Sequence, residues 1–131
     1  MNLTKYSRNR MMTAATHWTV PREYFDPLYN YLVHGFAPGS FWSAVLANDF
    51  MAAVQHSHPS NSLPHLKNVV GWMQDQWPEA SYGNHDRVIM WQDLEPIQRR
   101  RQLESSHLIY SEEQEVMMAL KNVRTHEPFM D

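Results

Sequence analysis

The chain has 131 residues, and 43% of them are apolar, which is enough for one domain with one packed core. It contains no cysteine, so disulfides, thiolate zinc sites, iron–sulfur clusters and cysteine nucleophiles are excluded. The formal net charge of −3 argues against a general binder of nucleic acids or anionic membranes. No apolar run approaches the roughly 18 residues of a membrane span, and none has the pattern of a signal peptide. We therefore expect a cytoplasmic protein without membrane association.

The first twenty residues carry Lys5, Arg8 and Arg10 and no acidic residue. Their apolar residues follow no clear helical or strand period, which is typical of an arm that can be flexible. We therefore predict an N-terminal arm over residues 1–20, a single helical domain over residues 21–125 and a C-terminal tail over residues 126–131.

The first helix of the domain is predicted over residues 27–34. Asp26 can cap this helix, Pro27 suits its first position and Gly35 follows its end. The segment FAPG then predicts a turn.

The longest apolar run begins after Ser40, a candidate N-cap, and predicts a second helix over residues 41–56. Its apolar residues recur at steps of three and four: Trp42, Val45, Leu46, Phe50, Ala53 and Val54. Asn48 and Asp49 interrupt this run. Because a polar pair in an apolar helix needs hydrogen-bond partners, we expect it to act as a cap or to hold the FAPG turn or the loop at residues 78–83. Pro59 follows the predicted end of the helix.

Four further helices are predicted, over residues 64–77, 85–92, 96–105 and 112–123. The clearest is the helix over residues 64–77, with a predicted buried face of Leu66, Val69, Val70, Met73 and Trp77. A capping-box pattern at Ser111 and Gln114 precedes the last helix. Its predicted inward residues are Val116, Met117, Leu120 and Val123. The segments HWTV and HLIY allow at most a minor two-stranded β element. The sequence thus predicts an all-α fold, a compact bundle of five or six short helices.

Three histidines near the end of the second predicted helix offer a metal-binding alternative, as a small module or a metal-dependent enzyme. The imidazole nitrogens of His56, His58 and His65 are suitable ligands for zinc, copper or nickel. Their spacing matches no established zinc motif, and the HExxH pattern is absent. Solvated histidines at a helix end are the favoured interpretation, so we expect no cofactor.

A contact with nucleic acid is a second alternative. It would use the basic residues Lys5, Arg8, Arg10, Arg99, Arg100 and Arg101. Three successive helical positions spread over about 200° of the helix surface, so the three later arginines do not form one stripe. Glu95 and Glu104 lie at spacings that allow ion pairs with them. Solvated helix surface is therefore the favoured interpretation.

The chain has no glycine-rich phosphate loop and no nucleophile motif, but residues 32–91 carry a characteristic set of features. They are Pro38-Gly39-Ser40-Phe41, Ala44-Val45-Leu46, Asn48-Asp49, Ala53, Asn61, Val69-Val70, Trp72, Pro78, Tyr82-Gly83 and Trp91. In this set the chain resembles a family of small helical proteins from tailed bacteriophages and prophages. Where that family is acidic before the asparagine, this chain has HSHPS. The resemblance implies a helical fold and a phage setting, and it contains no catalytic signature.

The chain is rich in side chains that are frequent at protein interfaces, with five tryptophans and nine methionines. Our principal hypothesis is a non-enzymatic phage-type accessory protein that binds a protein partner and modulates or inhibits it, with host defence or takeover machinery as the target. Association with a second copy of the chain is the other form of this hypothesis. The predicted contact residues are aromatic residues off the clean helical stripes: Trp18, Tyr24, Phe36, Trp72 and Phe129.

Overall fold

A computed structural model of the chain describes residues 1–58 and 61–125. Within these residues all regular structure is helical, so the prediction of an all-α fold is confirmed, and the segments HWTV and HLIY form no strand. The helices are α1 (Lys5–His17), α2 (Arg22–His34), α3 (Ser40–Leu46), α4 (Phe50–Gln55), α5 (Leu63–Gln76), α6 (His85–Asp93), α7 (Pro96–Ser105) and α8 (Glu112–Thr125). A short 3-10 turn, Glu79–Ser81, precedes α6. None of the described helices is both long enough and apolar enough to cross a membrane.

The described helices outnumber the five or six expected, and α1 is one reason. Residues 5–17 form a packed helix within the segment predicted as an N-terminal arm, residues 1–20. The Thr4 side chain caps α1, and Ser7, Met11 and Ala15 form its buried face. The apolar period is weak because a serine occupies one of these three inward positions, which follow each other at steps of four. The predicted tail at residues 126–131 lies outside the described residues.

Helix α2 provides the central surface of the core and packs against α1, α6 and α7. It begins at Arg22, five residues before the predicted start, with Pro21 and not Asp26 at the N-cap position. Pro27 therefore lies inside the helix, where it removes one backbone donor. Gly35 ends the helix in the left-handed conformation, as predicted, with φ of +69°.

Two polar groups of the aromatic core donate hydrogen bonds to backbone carbonyls. The buried Trp91 indole donates to the carbonyl oxygens of Tyr31 and Leu32, both at 3.2 Å. The buried Tyr31 hydroxyl donates to the Ser81 carbonyl at 2.7 Å. Burial raises the pKa of this hydroxyl. These bonds fix α6 and the 3-10 turn against α2.

The predicted helix over residues 41–56 is two helices, α3 and α4. Asn48 adopts a positive φ of 59°, which stops α3, and Asp49 then caps α4. Asparagine tolerates this left-handed conformation better than most residues. The break changes the direction of the chain, so Phe50 and Val54 leave the face that buries Trp42 and Leu46. The prediction of one apolar helix face over residues 41–56 is therefore wrong for Phe50 and Val54.

Helix α5 has the predicted extent, but its buried face is rotated by about 50° from the predicted one. Val69, Trp72 and Met73 are buried, whereas Val70 is exposed. The buried face therefore centres on Val69, with Trp72 on one side of it and Met73 on the other. The Trp72 ring packs edge-on against Trp77 and its nitrogen donates to Gln76.

Candidate functional site

The five predicted contact residues do not form one exposed surface. Tyr24 and Trp72 are buried, so their predicted exposure is wrong. Trp18 is half-buried, and Phe129 lies outside the described residues. Phe36 is exposed and its ring stacks on His34, with 5.4 Å between ring centroids.

The three histidines of the metal hypothesis lie in different environments. His65 is half-buried, with its ring edge-on to Tyr24 at 6.1 Å. His56 and His58 are exposed where the chain leaves α4. Across the described part of the chain, no group of three histidine or acidic residues is placed to hold a metal ion.

Arg99 is part of the core and not of a nucleic-acid surface. It lies buried at the C-terminal end of α2, where its Nε donates to the Val33 carbonyl at 3.1 Å and its Nη1 donates to the Leu94 carbonyl. A guanidinium at a helix C-terminus satisfies open carbonyl groups and complements the helix dipole. Gly35 leaves room for it, since a Cβ atom there would lie 2.7 Å from the Arg99 Nη1.

Arg100 is also buried, in a charged network that joins α1, α7 and α8. Its Nη2 donates to the Glu115 Oε1 at 2.5 Å, and its Nε donates to Glu104 at 2.8 Å. The other Glu115 oxygen accepts from the Ser7 and Thr4 hydroxyls, both at 2.5 Å. Burial alone would raise the pKa of the Glu115 carboxyl, but these hydrogen bonds and the Arg100 charge bring it below the ordinary value.

The remaining basic residues are dispersed. Arg8 pairs with Asp26 at 3.6 Å and covers the Tyr29 ring. Arg10 donates to the His107 carbonyl at 2.9 Å. Lys5 lies over the Tyr6 ring, and Arg101 is exposed. Because Arg99 and Arg100 are committed to buried partners, the six predicted residues do not make one basic surface.

Helix α4 exposes a continuous set of apolar side chains. Phe50, Met51 and Val54 expose 77%, 82% and 57% of their surface, and no residue of α4 is buried. Positions i, i+1 and i+4 share one side of a helix, and we name these three residues the α4 ridge. Contiguous exposed apolar residues of this kind mark interaction sites in soluble proteins.

Polar contacts hold α4 in place although it buries no side chain of its own. One Asp49 oxygen accepts from the Ala52 backbone N–H at 3.2 Å, and the other lies 2.9 Å from the His85 Nε2. The hydrogen bond with His85 and the Ala52 N–H lower the pKa of Asp49. Gly83 donates its N–H to the Leu46 carbonyl at 2.7 Å. Asp49 is thus the cap of α4, as expected. The bond from Gly83 to Leu46 attaches the end of α3 to the loop at residues 78–83.

The sequence interpretation missed the α4 ridge because it extended one helical period through Asn48. The signal was present: an asparagine able to take the left-handed conformation, followed by an aspartate able to cap. Together they indicate the end of one helix and the start of the next.

Helix α8, like α4, exposes large apolar side chains. Its capping box is as predicted, with reciprocal hydrogen bonds between Ser111 and Gln114 at 3.0 and 3.1 Å. Val116, Met117 and Leu120 point to solvent, however, with 59%, 63% and 58% of their surface exposed. Their predicted burial is wrong, and the side chain of Val123 lies outside the described part of the chain. We name the three exposed residues the α8 stripe.

The buried Glu115 decides which side of α8 faces inward. It lies about 100° around the helix from Val116, so its bonds to Arg100, Ser7 and Thr4 turn the apolar residues outward. A shallow groove of about 560 Å³ adjoins the stripe. Its lining includes Ile97, Val116 and Ala119.

Comparison of the chain with models of known protein families, with curated proteins and with solved structures finds no match.

Proposed function

We propose that the chain is a non-enzymatic accessory protein of the phage type that binds a protein partner through the α4 ridge. The observation that supports this most directly is a helix held by polar contacts whose large apolar side chains all lie outside the core. By binding, the chain would modulate or inhibit this partner, a component of host defence or of the machinery that the phage takes over. The sequence resemblance between residues 32 and 91 supports the phage setting.

The α4 ridge has the chemistry of a binding anchor. Burial of a Phe, Met or Val side chain contributes about 1.5–3 kcal/mol each, so the three together contribute about 4.5–9 kcal/mol before the costs of association. Those costs are of similar size. Phe50 and Met51 are thus anchors that need a surrounding contact surface on the partner.

Charge plays little part in this surface. Helix α4, with the sequence FMAAVQ, carries no charged residue, and Asp49 beside it is paired with His85. The partner chemistry that fits is therefore an apolar pocket or groove. Binding should depend weakly on ionic strength, since screening acts on charges.

The test is affinity capture of the tagged chain from its host, followed by titration of the purified partner. We expect Phe50→Ser combined with Met51→Ser to abolish binding while the helical circular dichroism is unchanged. Met90→Ser is the matched control, because Met90 is also exposed but lies about 140° around α6 from His85.

Two results would count against the proposal. One is a partner that binds the double variant as tightly as the unchanged chain. The other is binding lost at roughly 0.5 M salt, which would indicate a charged interface instead.

A further inference from the structure

We infer that Met51 is a site of reversible oxidation by peroxides, and that its sulfoxide form switches off the α4 ridge. The effect on partner binding rests on the proposed function, whereas the oxidation depends only on the side chain and its position. The chain has nine methionines and no cysteine. Its oxidisable sulfur is therefore all in methionine, and no thiol of the same chain competes for the oxidant.

Exposure differs widely among the methionines of the described residues. Met51 exposes 82% of its surface, more than Met90 or Met117, whereas Met11 and Met73 are buried in the core. An oxidant in solution must reach the sulfur atom, so an exposed methionine reacts before a buried one. Met51 is therefore the methionine most open to oxidation in this part of the chain.

The reaction is a two-electron transfer of oxygen to sulfur. A lone pair of the Met51 Sδ attacks one oxygen of hydrogen peroxide, so that an S–O bond forms as the O–O bond breaks. The second oxygen leaves with the bonding electrons and takes the proton of the first, which gives water. Methionine sulfoxide reductases reverse the change, with two thiols as the reductant and with release of water and a disulfide.

The sulfoxide changes the chemistry of the α4 ridge at its most exposed position. Met51 lies between Phe50 and the alanines of FMAAVQ, a helix without a charged residue. Oxidation replaces its apolar thioether by a polar S=O group. An apolar pocket offers this group no hydrogen bond, so its burial there is unfavourable. We therefore expect the sulfoxide to weaken binding to such a pocket by about tenfold or more.

The fold tolerates this change, because no side chain of α4 is buried. The helix is held by Asp49, through its bonds with the Ala52 N–H and His85, and Met51 takes no part in them. Oxidation of Met11 or Met73 would place a polar group in the core, but burial shields both. Oxidation at Met51 thus alters the binding surface and leaves the structure intact.

Peptide mass spectrometry of the full chain during treatment with hydrogen peroxide tests the site itself. Met51 should gain one oxygen more than about tenfold faster than Met11 and Met73, since the core methionines react only when the core opens. The helical circular dichroism should be unchanged while Met51 is oxidised. Oxidation of Met51 as slow as that of Met73 overturns the inference.

Two matched chains test the change in the ridge. Both carry Met90→Leu and Met117→Leu, and one carries Met51→Leu as well, because leucine keeps the apolar volume of methionine without its sulfur. Retention on a phenyl matrix, an immobilised apolar surface, is compared before and after peroxide treatment. The chain that keeps Met51 should elute earlier after treatment and return to its first position after incubation with a methionine sulfoxide reductase and a thiol. Equal shifts in the two chains overturn the inference.

The same two chains, titrated with the captured partner, separate this inference from the proposed function. After peroxide treatment the chain that keeps Met51 should bind about tenfold more weakly, and the chain with Met51→Leu should stay within about threefold of its untreated affinity. If Phe50→Ser combined with Met51→Ser binds normally, the proposed function fails. If that double variant does not bind but the oxidised chain binds as tightly as the untreated one, only the oxidation switch is wrong.

Discussion

The indole ring of Trp18 lies directly over Gly71 of α5. A Cβ atom on Gly71 would be 2.6 Å from the Trp18 Cζ3, and the Trp18 ring nitrogen donates to Asp75 at 3.2 Å. Trp18 follows the last residue of α1, so this contact joins the end of α1 to the middle of α5. A residue predicted to meet a partner is thus a structural contact within the chain.

This contact predicts a reversal of the usual effect of alanine in a helix. Gly71→Ala would normally stabilise α5 by up to about 1 kcal/mol, but here it displaces the Trp18 ring, which we expect to destabilise the fold by about 1–2 kcal/mol. In a Trp18→Ala background the same change should be stabilising. Urea denaturation of the four chains measures this coupling. Additive effects would mean that the Trp18 ring does not rest on Gly71.

The rotated face of α5 predicts different costs for two adjacent valines. Val69 is fully buried and Val70 is exposed, so Val69→Ala should destabilise the fold by about 2–3 kcal/mol. Val70→Ala should cost less than about 1 kcal/mol, because the lost contact is small and alanine favours the helix. Thermal unfolding of both variants gives the comparison. Equal losses of stability would mean that both valines lie on the buried face of α5, as the periodicity predicted.

Most of the local signals in the sequence were reliable, because their partners lie within a few residues. Ser111 and Gln114 form the capping box of α8, Gly35 ends α2, and α7 begins at Pro96 and ends at Ser105, as predicted. The helix class and most of the helix ends therefore followed from the sequence.

The orientation of α8 could not be predicted in the same way. It depends on Glu115, whose partners Ser7 and Thr4 are 108 and 111 residues away in the chain. Apolar periodicity alone placed the Val116 side inward, and the buried ionic network reversed it. Both candidate surfaces, the α4 ridge and the α8 stripe, arise where a polar interaction outweighs the apolar period.

The role of Arg99 predicts unequal effects for two arginines on α7. Arg99→Met leaves the Val33 and Leu94 carbonyls without their donor, and an unsatisfied buried acceptor costs about 1–3 kcal/mol. Arg101→Met changes an exposed side chain and should shift stability by less than about 0.5 kcal/mol. Chemical denaturation distinguishes them. Equal, small effects would mean that Arg99 does not hold the end of α2.

The Glu115 network predicts a specific loss of stability in acid. The pKa of Glu115 is lower in the folded chain than its ordinary value of 4.5. The unfolded chain therefore takes up this proton first as the pH falls. The resulting stabilisation is complete above about pH 4.5 and is lost as the pH falls through the folded pKa.

Glu115→Gln removes this contribution and leaves the buried Arg100 without one of its anionic partners. We expect a loss of about 2–4 kcal/mol at neutral pH. The difference from the unchanged chain should shrink as the pH falls below 4.5, because protonation then removes the same charge from Glu115 itself. Glu113→Gln is the control, since Glu113 is exposed and takes no part in the network with Ser7 and Thr4. Urea denaturation of the three chains between about pH 3 and pH 7 measures these differences. A Glu115→Gln deficit that stays constant down to pH 3 would mean that ionised Glu115 does not hold α8 against α1 and α7.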